Sequence, residues 1–519
     1  MNGAQALVRA ARSTGIDTVF ANPGTTEMDV VAALETDNPR SFLCLFEGVA
    51  TGAADGYARL TGRPAMTLLH LGPGFANGIA NLHNARRAGS PIVNVVGDHA
   101  TWHLAADAPL TSDIESLAAP VSTALLRCNS AADVASTVRS AVEVSMSSPR
   151  GPVTLIVAQD AMWDTVSDTQ NGGLLPPVTP IPDLTISDLN QVEAAARALR
   201  AARGRGAILV GGVITTEAVR AAAAIGAATG CAVWADTFPA RLDGGGGLPS
   251  LPVLPYLPDL AEKALAEVDT LVTIGTRAPV AFFGYRERRH SALLRSGVTI
   301  LQIGQVGGNT ETGAVALASE LGQPSLPPNP NPGSRNLPSG EVTAAAIAHI
   351  VAASLPAGSV VVNEAATSSP AWAAAAVNAP EHSTLYLTGG AIGQGLPNAV
   401  GAAVARPDAR VVALQADGSA MYTAQALWTM ARYQLNVTVV IHANHAYRIL
   451  QYELGRAGVQ DPGPIATSLT DIGHPNISWT SFASALGLPS CTVTTVEEAF
   501  KVLPNMLNQS GPNLVEVLL

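Results

Sequence analysis

The chain has 519 residues, a formal net charge of −11, 47% hydrophobic residues and 13% charged ones. That length exceeds a single core and suits about three α/β domains at the usual ~150 residues each. The low charge density excludes a disordered chain, and the acidic balance, with no basic run laced with aromatics, excludes a nucleic-acid or anionic-membrane surface.

No apolar run reaches the ~18 residues of a membrane span, and the N-terminal stretch lacks the apolar core and cleavage site of a secretory signal, so a cytoplasmic protein is expected. Cys44, Cys128, Cys231 and Cys491 are scattered beside apolar runs without metal-binding spacing, which predicts small core residues in a reducing compartment.

From the start of the chain, Asn2 to Ser13 reads as a helix, Thr18 to Phe20 as a strand, and Asn22-Pro23-Gly24-Thr25-Thr26 as a turn into the next helix. Ser41 to Phe46 is a second strand, and Glu47 opens a helix over Gly48 to Leu60. Here Gly48 is expected to admit another backbone. Ala65 to His70 is a third strand, closed by a Leu71-Gly72-Pro73-Gly74 turn and another helix. Pro91 to Val96 and Val153 to Val157 complete a mostly parallel sheet.

Residues 161 to 185 are rich in proline and glycine and read as a linker. A second α/β segment follows from Ser187, with strands at Ala207 to Gly212, Cys231 to Ala235, Thr270 to Gly275 and Val298 to Ile303. Residues 323 to 340 form a second linker. The expected domains are therefore 1–165, 186–325 and 341–519, all doubly wound α/β with mostly parallel sheets.

In the third domain, Val411 to Leu414 reads as a strand ending in an Asp417-Gly418-Ser419 turn whose glycine permits positive φ. Ala420 to Tyr433 reads as a helix with Leu427, Met430 and Ala431 at core spacing, and Val437 to Ile441 as a strand ending near Asn444. A βαβ unit of this kind brings Asp417 and Asn444 to one sheet edge, where open α/β sheets bind ligands. A carboxylate, an amide oxygen and a nearby carbonyl form a small hard-oxygen set, suited to a magnesium ion that fills its shell with phosphate and water.

This stretch resembles the thiamine diphosphate (ThDP) binding motif, Gly-Asp-Gly followed downstream by Asn, with Ala416 in place of the first glycine. The resemblance extends over essentially the whole chain and implies pyrimidine-binding, middle and diphosphate-binding domains in that order. It implies that Asp417, Asn444 and the carbonyl of Ala446 hold magnesium, with Gly418, Ser419 and Tyr447 near the diphosphate. FEGVATGAADGYAR is similar to the family's activating-glutamate segment, which gives Glu47 the role of proton partner to the cofactor's pyrimidine ring. Thr388 to Pro397 resembles the loop that packs against the cofactor, with Gly390 in its turn and Ile392 as its wedge. Asn363 to Thr367 resembles the opposite wall, where Ala366 and Thr367 face the diphosphate.

Within the family the chain resembles benzoylformate decarboxylase and the acetolactate synthase large subunit. Leu68-Leu69-His70 matches the former's catalytic histidine, and Asn22-Pro23-Gly24-Thr25 matches its Asn-Pro-Gly-Ser turn, which makes His70 and Thr25 candidate catalytic residues. Leu110 matches a substrate-lining position. The middle domain departs from that pattern: Ala278-Pro279-Val280 is followed by Ala281-Phe282-Phe283-Gly284-Tyr285, with no histidine before His290. Phe282, Phe283 and Tyr285 either line an apolar pocket or belong to core or interface. Gly97-Asp98-His99 and His103 either enter the pocket or reflect helix capping by Asp98, and Arg277, Arg286 and Arg288 either grip a substrate carboxylate or, for most of them, form a solvated basic face.

The activity implied is decarboxylation of a 2-oxo acid to an enamine that is protonated or added to a second carbonyl such as an aldehyde. No flavin is expected. A homodimer or homotetramer with active sites between subunits is implied. Two readings compete with this one. The first is a carboligase or lyase without a decarboxylase role; the second is a catalytically silent homologue acting as a binding subunit.

Overall fold

The computed structural model describes residues 1–166, 178, 186–286, 288–322 and 340–519, so the two linkers read from the sequence lie largely outside the described residues. The chain forms two compact units, one of residues 1–182, 388–407 and 423–435, the other of residues 183–387, 408–422 and 436–519.

The first unit is built on a six-stranded sheet: β1 (Thr18–Asn22), β2 (Arg40–Leu43), β3 (Ala65–His70), β4 (Ile92–Asp98), β5 (Ala124–Cys128) and β6 (Pro152–Ala158), in the order β2-β1-β3-β4-β6-β5. Every pairing is parallel. The inner strands β4 and β6 are buried along their whole length, which is why their sequences are nearly continuous runs of β-branched residues rather than alternating ones. β2 and β3 flank β1 on opposite sides, so the chain reverses its direction of winding there and opens a crevice at the carboxyl ends of β1 and β3. The helices Glu47–Thr61 and Gly395–Ala405 pack backbone to backbone. A Cβ on Gly401 would lie 1.9 Å from the Ala53 carbonyl oxygen, and one on Gly56 2.4 Å from that of Asn398.

The second unit holds two sheets. One is a parallel four-stranded sheet of β7 (Gly206–Val210), β9 (Ala232–Ala235), β11 (Thr270–Ile274) and β12 (Thr299–Ile303), ordered β12-β11-β7-β9. The other has eight strands: β8 (Val213–Ile214), β10 (Arg241–Gly244), β13 (Ser359–Glu364), β14 (His382–Tyr386), β15 (Val411–Ala416), β16 (Val437–Ala443), β17 (Ser490–Val493) and β18 (Asn513–Leu518). Their order is β17-β18-β16-β15-β13-β14-β10-β8, parallel except where β10 runs antiparallel to β14. β14 and β15 lie on opposite sides of β13, which places a second switch point between β13 and β15. The α/β class with mostly parallel sheets is the one expected from the sequence.

Several local expectations need correction. β2 stops at Leu43 rather than Phe46. β3 passes straight into the helix Leu71–Ala88, so Gly72-Pro73-Gly74 lies in the first helical turn and not in a separate loop. Asp417-Gly418-Ser419 is also helical, within Asp417–Ala420, and Gly418 has no positive φ. The helix expected over Ala420 to Tyr433 is broken into a 3-10 turn, Met421–Thr423, and a helix, Ala426–Arg432. Cys44, Cys128 and Cys231 are buried and Cys491 is half-buried, all as free thiols. No described helix is long and apolar enough to cross a membrane.

Candidate active site

In the first unit, three strand ends supply the candidate side chains. Glu47 is the first residue of its helix, preceded by Phe46, which offers no side-chain cap, and it is 8% exposed. Its Oε2 accepts a hydrogen bond from Asn77 Nδ2 at 3.0 Å. A Cβ on Gly74 would lie 3.2 Å from Glu47 Oε1 and equally 3.2 Å from His70 Cβ, so the two side chains meet across that glycine. Gly48 does not admit a backbone as expected: the space its Cβ would fill is taken by the Phe46 ring, 2.5 Å away at Cε1.

His70 ends β3, and its Nδ1 lies 2.8 Å from Glu27 Oε2 and 3.1 Å from Thr26 Oγ1. Asn22 ends β1, and the Pro23-Gly24 turn leads into the 3-10 turn Thr25–Glu27. Gly24 is essential to the packing, since a Cβ there would lie 2.2 Å from His70 Cγ. Thr25 is exposed, whereas Thr26 and Glu27 are buried.

Sequence reasoning missed Thr26, Glu27 and Asn77. For Glu27 a local signal was present, because Gly24-Thr25-Thr26-Glu27 places a glutamate where it caps the Gly24 N–H, at 2.8 Å.

The loop Thr388 to Gln394 is held by the helix Leu71–Ala88. Asn84 Nδ2 donates to the Ala391 carbonyl at 2.7 Å and its Oδ1 accepts from the Ala391 N–H at 3.2 Å, while His83 Nε2 lies 3.1 Å from the Gly389 carbonyl. Asn81 and Thr423 both donate to the Gly393 carbonyl. Gly390 and Gly393 have φ of 77° and 94°, so this loop turns twice where only glycine is unstrained, with Ile392 half-buried between them.

Other candidates in this unit are less engaged. Leu110 is 42% exposed. Asp98 caps no helix; it accepts from Arg127 Nη1 at 2.8 Å and from the His99 N–H. His99 and His103 stack edge to face, 5.3 Å apart.

In the second unit, Ala366 and Thr367 follow β13, Asp417 follows β15 and Asn444 follows β16, which puts all of them on the carboxyl edge of three adjacent parallel strands. Asp417 is buried. Its Oδ2 accepts the His445 N–H at 2.7 Å and its Oδ1 the Gly418 N–H at 2.9 Å. Asn444 Oδ1 accepts the Ala446 N–H at 3.0 Å. Gly418 is needed for close approach rather than for φ, because a Cβ there would lie 2.6 Å from Tyr447 Cε1. The Ser419 hydroxyl is turned inward, accepting from Gln415 Nε2 at 2.6 Å and donating toward the Ala416 and Glu364 carbonyls.

Burial pushes the Asp417 carboxyl pKa above its ordinary value, against the backbone N–H groups of His445, Gly418 and Asn444 that favour its charged form. A cation beside it would remove that penalty. Asp417 and the turn Asn444 to Ala446 are in contact, and their donors are a carboxylate, an amide oxygen and a carbonyl, so they fit a magnesium-bound diphosphate.

Backbone strain gathers at these same strand ends. Leu71, Ala366 and His445 have φ of 50°, 47° and 53°, each costing an L-residue about 1 kcal/mol or more.

In the same unit, Phe282 packs against Phe238, Tyr256 and Phe283 at ring-centroid distances of 5.7, 5.3 and 5.0 Å, with Phe282 and Phe283 43% and 53% exposed. They form a half-open aromatic cluster. Arg288 is paired with Glu262, while Arg277 and Arg286 are exposed.

Two family models match, "Thiamine pyrophosphate enzyme, N-terminal TPP binding domain" over residues 1–117 and its C-terminal TPP binding counterpart over residues 365–517. A Mycobacterium tuberculosis protein described as "Putative acetolactate synthase large subunit IlvX" is 43% identical over 520 residues, spanning 100% of this chain and 99% of the relative. Benzoylformate decarboxylase of Pseudomonas aeruginosa is 27% identical over 98% of this chain and 96% of its own length. Among solved structures, the Rhodococcus jostii thiamine diphosphate-dependent 4-hydroxybenzoylformate decarboxylase superposes with a TM-score of 0.86 at 24% identity, covering 100% of this chain and 99% of that one, and so shares the fold. The chain belongs to the thiamine pyrophosphate enzyme family.

Proposed function

We propose that this ThDP-dependent enzyme also requires magnesium, decarboxylates a 2-oxo acid in the cytoplasm and delivers the remaining acyl carbon to a proton or to an aldehyde. The observation that carries the reading is the meeting of buried Glu47 and His70 across Gly74. The cofactor, when bound, supplies the electron sink for the carbon that loses its carboxylate.

The chain's own residues do the rest. Glu47, held by Asn77, would be the proton partner of the cofactor's pyrimidine ring. His70 would exchange a proton with the substrate, and Asp417, Asn444 and the Ala446 carbonyl would hold magnesium. The names of the relatives support the substrate class, and the fit of the oxygen donors supports the metal. A homodimer or homotetramer that completes the site between subunits is part of the proposal.

A carboligase outcome is favoured by one feature. The segment after Ala278-Pro279-Val280 carries exposed Phe282 and Phe283 where a second proton donor would stand, and an apolar surface there suits an acceptor carbonyl better than a proton.

The test is a panel of 2-oxo acids, with and without an added aldehyde, followed for carbon dioxide and for 2-hydroxy ketones. Magnesium-dependent carbon dioxide release is expected, and the aldehyde arm separates the two outcomes. Absence of both products, together with no ThDP binding, removes the proposal in favour of a silent scaffold.

A further inference from the structure

Glu27 has no exposed surface, yet it is a carboxylate in the wall of the crevice and, among the described residues, is not in an ion pair with arginine or lysine. Three groups surround it. Its Oε2 takes the Gly24 N–H at 2.8 Å and faces His70 Nδ1 at 2.8 Å; its Oε1 takes the Thr26 hydroxyl at 2.5 Å. The fold makes room for it at one further place: a Cβ on Gly97, near the end of β4, would lie 1.9 Å from Glu27 Oε1. β1, β3 and β4 thus all contribute to one buried acid beside the histidine.

We propose that Glu27 is a positioning residue that fixes the tautomer of His70, with the proton on Nδ1. The proton count decides it. An ionised carboxylate only accepts, so Glu27 Oε2 demands a proton on Nδ1. The Thr26 hydroxyl has spent its proton on Glu27 Oε1, so toward Nδ1, at 3.1 Å, it too presents only a lone pair. Both neighbours of Nδ1 are acceptors, and the neutral ring is left with its lone pair on Nε2. Nε2 then takes a proton while Nδ1 keeps its own, and the imidazolium so formed stands against the Glu27 carboxylate until Nε2 returns the proton. The tautomer rests on geometry alone; what Nε2 acts upon rests on the function proposed above.

The test uses the full chain carrying 15N-labelled histidine and solid-state NMR, with His70 among the ten histidines identified by the signals lost in His70→Gln. Without cofactor or substrate, a protonated Nδ1 is expected in the wild type, and an unprotonated Nδ1 overturns the proposal whatever the enzyme's substrate. In Glu27→Gln the amide has an N–H to offer as well as a carbonyl, so the Nδ1–H form is expected to lose its exclusivity. With the best 2-oxo acid from the panel, kcat is expected to fall about 10²-fold with little change in KM. A Glu27→Gln protein that keeps both the wild-type tautomer and wild-type kcat overturns the positioning role.

Discussion

Asn77 donates its side-chain N–H to Glu47 Oε2 at 3.0 Å, from the helix that begins immediately after His70. The amide fixes one oxygen of the carboxylate and leaves the other, Oε1, beside Gly74. Glu47→Gln preserves the shape but cannot exchange a proton, so ThDP affinity should stay within a few-fold of wild type while kcat falls by about 10²–10³-fold. Steady-state kinetics and isothermal titration with ThDP and magnesium check this, and wild-type turnover would remove Glu47 from the mechanism.

The strand ends that carry these residues were readable in the sequence because parallel strands leave a local signature. β3 is bounded as Ala65 to His70 in both readings, and Asp417 and Asn444 do follow neighbouring strands. Less legible was whatever depends on close approach. Gly418 looks like a turn glycine until the Tyr447 ring is seen against it, and Gly48 looks open until the Phe46 ring fills its space. Glu27 resembles a surface cap in a Thr-Thr-Glu turn, and only the structure shows its contact with His70, 43 residues away. The pairing of β10 with β14 joins segments over a hundred residues apart, a separation no local pattern encodes.

Asp417 carries a charge that burial disfavours in the metal-free protein. Burial raises its pKa, so the folded chain without metal is most stable with that carboxyl protonated and loses this contribution as pH rises from the ordinary carboxylate range through the raised value. Asp417→Asn should therefore leave the metal-free protein at least as stable as wild type near neutral pH. The same variant should lose the stabilisation that ThDP with magnesium provides, about 2.7 kcal/mol at a hundredfold excess over Kd. Thermal melts with and without magnesium and ThDP separate the two effects.

Asp55 and Arg59 form a fully buried pair, 2.6 Å apart, and Asp55 also accepts from Ser90, Gln394 and Asn398. Asp55→Leu strips Arg59 of its carboxylate and should cost about 3–5 kcal/mol. Changing both, Asp55→Leu with Arg59→Met, should cost less than Asp55→Leu alone, because no charge is then left buried. Urea midpoints of the wild type and the two variants decide this, and equal losses in the single and double variants would refute it.

Gly401→Ala places a methyl group 1.9 Å from the Ala53 carbonyl oxygen, a backbone atom that cannot rotate away. The helices Glu47–Thr61 and Gly395–Ala405 must part, at a cost of about 1–3 kcal/mol. Glu47 lies on the first of these helices, so kcat should fall together with the melting temperature. An unchanged melting temperature would mean that the helices slide without penalty.

His382 sets part of the acid limit of the fold. It is buried on β14 against the Trp372 ring, 5.3 Å away, and its Nδ1 donates to the Pro380 carbonyl at 2.8 Å. Burial depresses its pKa below 6.5, and neither the Pro380 carbonyl nor the charge of Asp243 offsets that. The unfolded chain therefore binds a proton at this residue before the folded one does, and stability falls as pH drops from about 6.5 through the depressed value, then levels off. His442, pushed down to about 4 by burial, adds a slope of the same sign, so the difference between two proteins isolates His382. His382→Gln retains an N–H for Pro380 without a titrating ring. Its urea midpoint should fall less than that of the wild type between about pH 7 and pH 5, and parallel losses in both proteins would show that His382 gains its proton without cost to the fold.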